Sequence, residues 1–219
     1  MEDDLKIPKP TTEDVIFTIG KAVVNLVPVI GGSAVEIFNF IVKTPIQKRQ
    51  DQLIESIIDK IKTLEKDFEV LTPERLNQNE LFISVLLKSL QAITKEHQKE
   101  KIDAFKNAVI NTVTKKSISE GYKLLFLSYL ESFTVLHIQI IKFFYDEFYI
   151  RNDKSGTVTN IGDKFNLFSK FNDDIEITSW TFMHIVKELD EKGLIISNRY
   201  DGPIPVADMF IAFITGYFE

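Results

Sequence analysis

The chain has 219 residues, 44% of them apolar and 26% charged, enough for one large domain or two small ones with real cores. It contains no cysteine, which excludes disulfides, thiolate zinc sites, iron–sulfur clusters and cysteine nucleophiles. The net charge is −6, split as 17 basic and 18 acidic side chains in residues 1–120 and 9 basic and 14 acidic in residues 121–219, the opposite of what a C-terminal phosphate-binding module needs.

The first dozen residues read as a flexible tail. They open on Met1-Glu2-Asp3-Asp4, acidic where an export signal is basic, and Pro8 and Pro10 follow. The expected compartment is the cytoplasm. Thr11 or Thr12 then caps a helix, with Glu13 and Asp14 complementing its N-terminal dipole. Residues 15–42 are the most apolar stretch of the chain, broken in the middle by Pro28, Gly31 and Gly32, which mark the turn of a helical hairpin. Ser33 and Glu36 have the spacing of a capping box for its second arm.

A membrane-spanning helix needs about 20 largely apolar residues. The two arms have about 14 and 10, and each carries a narrow polar stripe, Thr18, Lys21 and Asn25 on the first and Glu36, Asn39 and Lys43 on the second. The leading expectation is therefore a hairpin buried in a helical core. The alternatives are a segment that enters a membrane conditionally and a partner-binding surface.

Thr44-Pro45 is a cap followed by a proline at the first helical position. Leu53, Ile54, Ile57, Ile58, Ile61, Leu64 and Phe68 then recur three and four apart among polar residues, the clearest amphipathic helix of the chain. Thr72-Pro73 opens a short turn before Asn79, and Phe82, Val85, Leu86, Leu90 and Ile93 mark a further helix. The polar run 95–100 leads to Ile102, Phe105, Val109 and Val113, and the pattern leaves open whether the helix bends there or runs through. Ser117 and Glu120 have capping-box spacing for a helix reaching about Glu131. No strand pattern of any strength occurs up to this point, so residues 13–132 are expected to form an all-helical bundle.

Residues 133–219 read differently. Thr134 caps a helix carrying Leu136, Ile140, Ile141, Phe144 and Phe148; a polar loop follows over 151–160, then a short helix over 163–171. Thr178 caps a helix from Trp180 to Lys192 that Gly193 closes, Leu194-Ile195-Ile196 is a strand candidate, and residues 206–214 return as a final helix. This order is that of a winged helix, and Leu189-Asp190-Glu191-Lys192-Gly193-Leu194-Ile195 resembles the end of the third helix of such domains. The expected fold is thus mainly α: a helical bundle with an N-terminal apolar hairpin, then a small winged-helix-like α+β module.

Motifs for chemistry are lacking. His97, His137 and His184 lie on different predicted helices with no metal-ligand or triad spacing, and no phosphate loop, nucleophile elbow or dinucleotide fingerprint occurs. Asp173, Asp174 and Glu176 precede a helix and are read first as a solvated loop complementing its dipole, second as a hard-cation site. No catalytic residue, cofactor or metal site is expected. The third helix of the winged-helix reading sets Lys187 and Lys192 against Glu188, Asp190 and Glu191, a poor match to DNA phosphates. A protein contact through Trp180, Phe182, His184 and Lys187 is favoured, with a protein partner or a second copy as occupant; a DNA-binding regulator is the remaining alternative.

Val27-Pro28-Val29-Ile30-Gly31-Gly32, Asn79-Glu80-Leu81-Phe82, and the run from His97 to Ile102 followed by Lys106-Asn107-Ala108-Val109 resemble a set of bacterial proteins without an assigned activity, over roughly residues 25–150. The order of bundle and winged-helix-like end is distantly similar to abortive-infection proteins of the alpha type. That similarity implies a setting in phage defence and no site residue.

Overall fold

The computed structural model describes residues 11, 14, 16–18, 44–64, 68, 71–151, 161–172, 175–195 and 205–215. Among these the chain is mainly helical and contains no strand. It divides into two compact units, Met1–Leu127 and Ser128–Glu219.

In the first unit, the backbone N–H of Asp14 is received by Thr11 Oγ1 (3.2 Å) and the carboxylate of Asp14 accepts from the Thr11 N–H (2.8 Å). The Thr11 N–H, and with it the Thr11 hydroxyl at 2.8 Å, donate to the Asp14 carboxylate and hold its pKa below the ordinary value. Residues 16–18 are helical and Ile16 is buried. The hairpin turn at Pro28, Gly31 and Gly32, and most of the two arms, lie outside the described residues.

Helix α1 (Thr44–Leu64) starts at the Thr-Pro pair and buries Leu53, Ile54, Ile57, Ile58, Ile61 and Leu64, the stripe its sequence period marks. A short α2 (Pro73–Asn77) precedes α3 (Glu80–Ala92), whose first turn is capped by Asn79 Oδ1 accepting from the Phe82 N–H at 2.9 Å. The open question at 95–100 is settled: α3 ends at Ala92 and α4 (Lys99–Thr114) starts anew. Packing holds the break in place. Lys101, almost fully buried, reaches back to Glu96 at 2.7 Å, and the Arg49 guanidinium of α1 donates to the Glu96 carbonyl. Helix α4 packs on both α3 and α1, and Gln50 Nε2 donates to the Leu90 carbonyl between α1 and α3.

Helix α5 (Glu120–Ser132) carries the unit boundary within it. It starts two residues later than the Ser117–Glu120 spacing suggests: the Lys123 N–H is received by the Ser119 carbonyl at 3.0 Å, so Ser119 stands at the cap position. Buried Lys123 donates from Nζ to the Thr112 carbonyl (2.9 Å), one of the acceptors that the end of α4 leaves without a helical partner. Burial pushes the Lys123 ammonium below its ordinary pKa, against a smaller opposing effect of Glu120.

The second unit consists of α6 (Val135–Arg151), α7 (Ile161–Phe171), α8 (Ser179–Glu191) and α9 (Pro205–Ile214), together with the end of α5. Helix α6 packs against α8 and α9, and α7 packs against α8. Two aromatic clusters build the core. Phe143 and Phe182 flank buried Phe168, and Phe165 lies against Phe182, with centroids 5.4 Å apart for Phe143–Phe168, 5.3 Å for Phe168–Phe182 and 5.6 Å for Phe165–Phe182. Phe210 of α9 meets Tyr129 and Phe133 edge-on at 6.4 and 6.0 Å.

Helix α8 ends as its sequence foretells. Gly193 has φ +68°, the Leu194 N–H bonds to the Leu189 carbonyl and the Gly193 N–H to the Asp190 carbonyl, both at 2.9 Å: a complete Schellman motif. The strand expected next is not found at Leu194 and Ile195, which are buried but paired in no sheet. Ile196 and the expected wing over 197–204 lie outside the described residues. The α+β character of the module is therefore not supported. Apolar residues after a helix-stopping glycine need burial, and Leu194 and Ile195 have it with no strand among the described residues.

Candidate functional site

Helix α8 carries the four residues singled out for contact, and the structure separates them into two groups. Its start is fixed by Thr178, whose Oγ1 accepts from the Thr181 N–H at 3.2 Å. Phe182, Ile185, Val186 and Leu189 form its buried face. Phe182 is fully buried in the aromatic core and is a packing residue, which corrects its expected place in a contact surface. Positions 180, 183, 184 and 187 fall on the opposite face at helical spacing, and all four are exposed.

Trp180, the only tryptophan of the chain, is 69% exposed. Its indole lies parallel to the His184 imidazole at a centroid distance of 5.4 Å and an interplanar angle of 5°. Met183 adds a thioether to the same face at 41% exposure, and Lys187 lies one turn on, 3.9 Å from Glu191. An indole held against a neighbouring ring is a preordered flat apolar surface, so less side-chain entropy is lost when something covers it.

Phe171 adds a feature that the sequence reading missed. It closes α7 and is 71% exposed. Phe168, three residues before it, touches Phe182, two residues after Trp180, so the end of α7 and the start of α8 lie at the same end of the helix pair. The hydrophobic period of α7 buries Phe168 and leaves the position three residues on at the rim. The sequence signal was available, since an aromatic at a helix terminus followed by Asn172 and a run of acidic residues is poorly placed for a core.

The structure also joins residues that sequence spacing left apart. Thr134 caps α6; its N–H donates to His137 Nδ1 at 3.2 Å and its hydroxyl is 2.8 Å from the same atom. Because Nδ1 accepts the backbone N–H, the ring proton sits on Nε2 and points to Glu188 Oε2 of α8 at 3.2 Å. Lys192 approaches Glu188 Oε1 at 3.8 Å and lies over the Tyr129 ring at 5.4 Å. His137 stacks on Phe133 at 5.0 Å. Hydroxyl, imidazole and carboxylate in this order are the groups of a nucleophilic triad. Here the imidazole fills the role of the third helical residue in a capping box, returning a bond to the cap N–H. The Thr134-x-x-His137 spacing was legible; the partner 51 residues away was not.

Of the remaining histidines, His97 is in the connection between α3 and α4. No group of three or more His, Asp or Glu side chains with metal-holding geometry occurs among the described residues. Among the same residues, no helix is long and apolar enough to cross a membrane. Comparisons of the chain with protein families, curated proteins and solved structures return no match.

Proposed function

We propose that this chain is an interaction protein without catalytic chemistry of its own, and that the exposed face of α8 is its contact surface. One observation carries the reading: Trp180 is 69% exposed and stacked on an exposed histidine, on a helix whose other face is fully anchored in the core. Tryptophan is the residue most enriched where binding energy concentrates, and an isolated exposed Trp on a rigid helix is a poor use of a large apolar group unless it is covered. A setting in phage defence rests on the sequence resemblance alone.

A photo-reactive residue placed at His184, with a control at exposed Ser84 of α3, tests the reading in cells. The expected result is a discrete covalent adduct from position 184 and none from position 84. Equal labelling at both positions, or none at 184, overturns it. A hydrolytic activity of the purified chain that is lost in both Thr134→Val and His137→Ala would instead make the capping array an active site.

A further inference from the structure

Resting on that reading, we infer that the partner presents a cationic polypeptide segment, bearing Arg or Lys, to the end of the α7–α8 pair where Phe171 and Trp180 lie. Both rings are about 70% exposed, at 71% and 69%, beside the buried Phe168–Phe182 contact that fixes the two helices. Between them in sequence stand Asp173, Asp174 and Glu176, against the single basic neighbour Lys170. Glu176 is exposed.

The wider charge distribution points the same way. Residues 128–219 hold eight Lys or Arg against fourteen Asp or Glu, whereas residues 1–127 hold eighteen of each, so the whole net charge of −6 belongs to the second unit. Aromatic faces attract cations through their quadrupole. Neighbouring carboxylates raise the local concentration of a basic partner and accelerate its approach. Arg suits both features, since its planar group stacks on a ring while its N–H groups reach carboxylates. A phosphate-bearing partner is repelled by the same charges.

The emission of Trp180, the sole indole, reports occupancy directly. The probe is a short peptide of alternating Arg and Gly, titrated into the full chain at low and at physiological salt. A saturable change in emission is expected, weaker at higher salt. Phe171→Ala retains the reporter and should bind more weakly. The triple variant Asp173→Asn, Asp174→Asn, Glu176→Gln should bind about tenfold more weakly, as the loss of three carboxylate charges allows. Helical circular dichroism should be unchanged in both variants.

The inference is overturned if the emission does not change, if the triple variant binds as the parent does, or if an alternating Glu and Gly peptide gives the same response. Spermine matching the peptide at equal charge overturns the polypeptide class and leaves a small cation. An adduct from position 184 with no peptide response sinks this inference alone; no adduct sinks the reading beneath it.

Discussion

Replacing Phe182 by Ala separates core from contact surface on α8 more sharply than any other single change. The ring is fully buried, with centroids of Phe168, Phe165 and Phe144 at 5.3, 5.6 and 6.5 Å. Truncating a ring in such a setting costs about 3–5 kcal/mol, because its transfer free energy is lost and the surrounding rings close only partly on the cavity. Against a domain stability of about 5–15 kcal/mol this is about a fifth or more. With a urea slope of about 2 kcal/mol per molar, the transition of the second unit moves down by about 2 M. Trp180→Ala, two residues away and 69% exposed, should shift it by no more than about 0.25 M, the equivalent of 0.5 kcal/mol. Urea unfolding by circular dichroism, with hydrogen exchange assigning the loss to amides of α6–α8, measures both. A Phe182→Ala shift below about 0.5 M, or equal shifts for the two variants, would refute the division of α8 into a buried and a free face.

Three further outcomes are expected. Thr178→Ala removes the acceptor for the Thr181 N–H and should cost about 1 kcal/mol, with Thr178→Asp restoring most of it in the same urea assay. Burial disfavours the Lys123 ammonium, so in the alkaline window between its lowered folded pKa and the unfolded value of about 10.4 the folded state binds fewer protons and stability rises with pH. Lys123→Met should lose that rise, and thermal melts of both chains across this window would show it; parallel curves would count against it. For Asp208, in the first turn of α9, burial raises the carboxyl pKa, so the folded state keeps its proton longer and stability falls as pH climbs above 3.8. Asp208→Asn should therefore gain stability relative to the parent at neutral pH, with the gain vanishing below that value; a constant difference at every pH would contradict the burial argument.

Local and periodic features were legible in the sequence because their physics acts within one or two turns. The stripe from Leu53 to Leu64, the helix start at Thr44-Pro45, the caps at Thr11, Thr134 and Thr178, and the left-handed Gly193 all stand where side-chain spacing and backbone preference place them. The two-residue slip at Ser117 marks the limit of such reasoning: two serines compete for one helix start, and the Lys123 bond to the Thr112 carbonyl fixes a register that local spacing cannot. Leu194 and Ile195 show the same limit for strands, since apolar residues after a helix stop are buried with or without a sheet and only a partner strand makes one. The candidate contact surface was half legible. Trp180, His184 and Lys187 do share an exposed face, but Phe182 belongs to the core and Phe171 joins the rim, because burial is decided by which helices meet. The Thr134–His137–Glu188 array was likewise beyond the sequence: the first two residues are one helical turn apart, and the third arrives only when α8 packs on α6.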